Sequence, residues 1–93
     1  MQLAQQSGES LQKYIMRLKA MSIDAEQAVR DARTVQEHTL AAYKQAIAGG
    51  APREAVQGCA DAILRASGQM ARARKQRDDV EYELFEALLL WDV

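Results

Sequence analysis

Little in this sequence can form a cross-link. Cys59 is the only cysteine and His38 the only histidine among 93 residues. One thiol excludes an internal disulfide, and one cysteine with one histidine falls short of the four ligands of a structural zinc site. A chain of this length is near the lower limit for burying a self-sufficient core. Small domains without disulfides or metals commonly gain their support from another chain. The sequence therefore predicts association, and no metal or other cofactor.

An excess of one charge is also lacking. Twelve basic residues face thirteen acidic ones, for a formal charge of −1. A binder of nucleic acid or anionic membranes would carry a basic surplus. No apolar run approaches the roughly 18 residues of a transmembrane helix. The opening MQLAQQSGES has neither the charged region nor the apolar block of a signal peptide. With the lone cysteine, which fits a reducing compartment, this predicts a cytoplasmic protein.

Proline occurs once, at Pro52, and β-branched residues never alternate over the length of a strand. Alanine, leucine, glutamine, glutamate, arginine and lysine dominate instead, all good helix formers. The strongest interruption is Ala48-Gly49-Gly50-Ala51-Pro52. Gly49 suits the left-handed position that ends a helix. Pro52 suits the first turn of the next one, where Glu54 complements the helix dipole. The pattern predicts a single all-α domain over residues 1–93, with helices at about 8–48 and 52–91 around a turn at 49–51. Each arm would be roughly 60 Å long at about 1.5 Å per residue. Met21-Ser22-Ile23-Asp24 and Ser67-Gly68 are weaker breaks, but the heptad phase runs through both unchanged.

That phase is a coiled-coil seam. Folded about the turn, apolar positions of the two arms pair at equal sequence distance from Gly49. The pairs are Leu11–Ala87, Tyr14–Leu84, Leu18–Val80, Met21–Arg77, Ala25–Ala73, Ala28–Met70, Ala32–Ala66, Val35–Ile63, Thr39–Cys59 and Ala42–Val56. Large residues often face alanine, which allows close approach of the arms. Charge order agrees with this register. The basic block Arg72–Arg77 falls opposite Asp24 and Glu26, and the acidic stretch Asp78–Glu86 falls opposite Lys13, Arg17 and Lys19. Each exposed pair is worth only about 0–1 kcal/mol, yet together they help to select the register. The expected architecture is an antiparallel two-helix hairpin, coiled-coil-like, dimerising into a four-helix bundle.

Residues able to carry chemistry are few. His38 and Cys59 are the nearest thing to a base and a nucleophile. Catalysis would also need an orienting partner, an oxyanion hole and a cleft, so Cys59 reads as a small core residue and His38 as a flanking one. The block Arg72–Arg77 has no interleaved aromatics and is followed at once by acids, which reads as a solvated, salt-bridged face. Arg77 within the seam needs a partner, with Asp24 or Glu81 in reach. It serves either as a snorkelling side chain over Met21 or as a device fixing register or partner.

The apolar surplus is the most informative feature. Ile15, Val29 and Tyr43 of the first arm, with Leu64, Phe85 and Leu88 of the second, are assigned to one flank of the hairpin. The end Leu84–Trp91, including Leu89, is apolar nearly all round. One hairpin is not expected to bury all of this, and such patches mark interaction surfaces. The candidate occupants are a second copy, a different protein, or residues 1–7 folded back. In size, charge balance and hairpin build the chain resembles small co-chaperones and adaptors of bacterial secretion systems, and is similar to small phage-encoded inhibitors. The expected function is that of a non-enzymatic protein-binding module. The alternatives are an inhibitor that blocks a protein surface and a structural coiled-coil subunit. No nucleic acid, membrane or small-molecule substrate is expected.

Overall fold

The computed structural model describes residues 9–91, which form two helices, α1 (Leu11–Ala48) and α2 (Arg53–Trp91), packed as an antiparallel hairpin. The molecule measures 63 × 18 × 14 Å, matching the arm length that the sequence implies. Neither weaker interruption breaks a helix. Met21–Asp24 lies within α1 and Ser67-Gly68 within α2, so packing along the seam outweighs the cost of about 1 kcal/mol for a mid-helix glycine.

The ends follow local chemistry. Ser10 has extended backbone, and its side-chain oxygen accepts from the Lys13 amide at 3.2 Å, an N-cap. This cap starts α1 at Leu11 rather than near residue 8. The expected return of residues 1–7 falls outside the described residues. At the turn it is Gly50, not Gly49, that takes the left-handed conformation, with φ +66°. The Gly50 amide donates to Ile47 O and the Ala51 amide to Ala46 O. These two bonds form a Schellman motif with Gly50 just past the cap. Pro52 precedes α2, and its carbonyl accepts the first helical bond, from the Val56 amide at 3.1 Å.

The core is thin and unevenly spread. Among the described residues eleven side chains are buried hydrophobics, and five of these are alanine. Leu18 and Val80, paired by the register, are the largest fully buried ones. One cluster at the open end joins Tyr14, Ile15, Leu18 and Ala87, with Leu11, Met21 and Leu84 packed on it. A second joins Val29, Ala32, Met70 and Ala73, with Ala28. Towards the turn the seam opens: Val35 and Ala42 are exposed, and Cys59, Ile63 and Val56 are only half-buried.

Candidate interaction surface

The open end of the hairpin, where α1 begins and α2 finishes, is held by polar ties. Arg17 makes a two-pronged bond to Glu9, Nε to Oε2 and Nη2 to Oε1, each at 3.0 Å. Its guanidinium lies 5.2 Å from the centre of the Tyr14 ring, a cation–π distance. The Glu9 contact holds the Arg17 proton more tightly than usual. Tyr14 is buried and donates from its hydroxyl to Glu83 Oε2 across the hairpin at 3.2 Å. Burial first, and then the bond to Glu83, raise its phenol above the ordinary value. Of these ties the Tyr14–Glu83 bond joins the first turns of α1 to the last turns of α2.

There α2 ends in a run of exposed apolar side chains. Phe85 is 60% exposed and Trp91 54%, and Leu88, Leu89 and Leu90 also face solvent. Met16 of α1 joins them. Between the helices Gln12, Ile15, Met16, Lys19, Leu88 and Trp91 line a groove of about 220 Å³. The apolar end expected from the sequence is therefore present, and the groove belongs to both helices.

Other expected residues lie elsewhere. Ile15 and Val29, expected on the apolar flank left open to a partner, are only 6% and 2% exposed. The reason is the width of the buried stripe. α1 packs through the flanking e positions as well as through the a/d seam, and the alanines at Ala25, Ala28 and Ala32 let the helices approach until Val29 closes the layer. Tyr43 is half-buried, well along the rod near the turn, and Leu64 is 72% exposed in the turn half of α2. The structure thus gathers Phe85, Leu88, Leu89 and Trp91 at one end, and separates them from Tyr43 and Leu64. Met16, Ile23, Leu40, Ile47 and Tyr82 are exposed apolar positions that seam reasoning missed. The available signal was their place on the outer arc of each helix.

Arg77 also differs from expectation. Its guanidinium meets Asp78 at 3.1 Å and Glu26 at 3.9 Å, not Asp24. Two residues turn a helix by about 200°, so Glu26 and Asp24 fall on opposite flanks of α1, and Arg77 leans to the Glu26 side. Glu81 shares a hydrogen bond with Glu26 there. That bond, burial and repulsion from Glu26 raise the Glu81 carboxyl, against the opposing pull of Arg77. His38 is exposed and Cys59 half-buried. Among the described residues no three His, Cys, Asp or Glu side chains gather where they would hold a metal ion. Nor is any described helix long and apolar enough to cross a membrane.

No protein-family model matches this chain, and comparisons with curated proteins and with solved structures find no match either. The surface must be read from its own geometry.

Proposed function

We propose that this chain is a non-enzymatic protein-binding module of the cytoplasm, of the kind used as a secretion chaperone or assembly adaptor. It offers the apolar open end of its hairpin to another protein and to a second copy of itself. The observation that carries this reading is the run of exposed Phe85, Leu88, Leu89 and Trp91 on the last turns of α2, where Leu88 and Trp91 line a groove shared with Met16. Covering one such side chain is worth roughly 1.5–3 kcal/mol, a large share of a small domain's stability.

Surface arithmetic points the same way. The accessible area is 6730 Å², whereas a compact monomer of 10.4 kDa would expose about 5,400 Å². The radius of gyration is 19.2 Å, against about 12 Å for a compact 93-residue domain. A hairpin this thin gains by lying against a partner.

Tagged chain expressed in its native host should co-purify a partner in stoichiometric amount. Phe85→Glu with Leu88→Glu should lose that partner, and His38→Ala and Cys59→Ala should both retain it. Loss of the partner on changing His38 or Cys59 in a chain that is still helical would overturn the non-enzymatic reading.

A further inference from the structure

The outer face of α2, turned away from α1, carries an ordered charge stripe. Arg65, Arg72, Asp79 and Glu86 recur every seventh residue and all are exposed. The basic pair occupies the turn half and the acidic pair the open half. Arg65 and Arg72 make no salt bridge among the described residues. Asp79 takes only the exposed Lys75 at 2.8 Å, and Glu86 is bonded to Tyr82 one turn earlier on the same face.

The same stripe has a size gradient. Its basic half contains Gly68, where an added Cβ would meet nothing closer than the Arg72 guanidinium at 3.5 Å. Gly68, Leu64 and the two arginines also border an open groove that reaches across to Val35 and Thr39 of α1. Its acidic half carries the exposed rings of Tyr82 and Phe85.

Reversing the direction of a helix maps this stripe onto itself. With the centre between Lys75 and Gln76, Arg65 exchanges with Glu86 and Arg72 with Asp79. Tyr82 then falls at Gln69, next to Gly68, and Phe85 falls at Ala66, two residues from Leu64. Each arginine of the stripe then meets an acid. A surface complementary to its own two-fold image is what an isologous interface requires. We infer that a second copy of this chain binds here, with its α2 antiparallel to this one and the two-fold axis at Lys75–Gln76. From Arg65 to Glu86 the contact runs about 32 Å, half the length of the rod. It covers Phe85 of both copies, so the inference rests on the functional reading above and gives it a partner and an orientation. The alternative of a different protein on this face does not require the stripe to be its own image.

Charge exchange tests it. Arg65→Glu with Arg72→Glu makes the whole stripe acidic, and Asp79→Lys with Glu86→Lys makes it basic. Each chain alone should dimerise more weakly than wild type by about tenfold or more, since four cross-pairs become repulsive. Mixed in equal amounts, the two should form a heterodimer as tight as the wild-type dimer or tighter, weakened by salt. Circular dichroism confirms that each chain remains helical. If both variants self-associate like wild type while Phe85→Glu with Leu88→Glu is monomeric, the antiparallel arrangement is wrong and the functional reading stands. A mixture that forms no heterodimer also overturns the inference. A wild-type chain that stays monomeric overturns both.

Discussion

Three residues test the hairpin most sharply. Leu18 is fully buried in the open-end cluster with Tyr14, Ile15 and Ala87. With a core so rich in alanine, little can collapse into the space it would leave, so Leu18→Ala should cost about 2–5 kcal/mol in chemical denaturation. A cost below 1 kcal/mol would place the stabilising contacts elsewhere. Tyr14→Phe removes the bond to Glu83 but keeps the ring, and should cost about 0.5–1.5 kcal/mol. Glu81 behaves in the opposite sense. Its carboxyl is raised by its bond to Glu26 and by burial, so the folded state binds that proton more tightly than the unfolded chain does. Its contribution to stability is fully present below the unfolded value and is lost as pH rises through the folded one. Glu81→Gln should therefore raise the melting temperature at neutral pH, and the advantage should shrink as pH falls into the carboxylate range. An advantage that grows on acidification would contradict the pairing of Glu81 with Glu26.

Between the two helices, stability is uneven. Both buried clusters lie in the open and middle parts of the rod, while Val35 and Ala42 are exposed near the turn. Amides at 33–46 and 55–66 should exchange with solvent faster than those at 14–29 and 70–84, because local opening there exposes less apolar surface. Uniform protection along α1 would show that the thin half is supported by something else. This unevenness also marks the boundary of what the sequence discloses. The Gly49-Gly50 interruption and the a/d phase suffice for the hairpin, because a continuous seven-residue repeat and a single break leave few other arrangements. They do not say how wide the buried stripe is. Ile15 and Val29 lie inside because close approach at alanine layers turns their flank inwards, a three-dimensional consequence of side-chain volume. The choice of Gly50 over Gly49 at the left-handed position, and of Glu26 over Asp24 beside Arg77, likewise depends on angles about each helix rather than on residue type. The apolar end was legible for a simpler reason: Leu84–Trp91 is apolar nearly all round, Glu86 apart, and a helix with one neighbour hides only one side.

As a whole molecule the chain is a 63 Å rod whose exposed large apolar side chains are densest at its open end. Its surface exceeds that of a compact protein of its mass, and its core is too slight to make good the difference. Association is therefore expected to be part of its stability as well as its function. Sedimentation equilibrium of the wild-type chain beside Phe85→Glu with Leu88→Glu, both checked for helicity, tests this directly. The wild type should show a mass above that of the monomer and rising with concentration, and the double variant should remain a helical monomer. A wild-type chain that is monomeric at high concentration, or a double variant with unchanged mass, would contradict the assignment of the open end as the association surface.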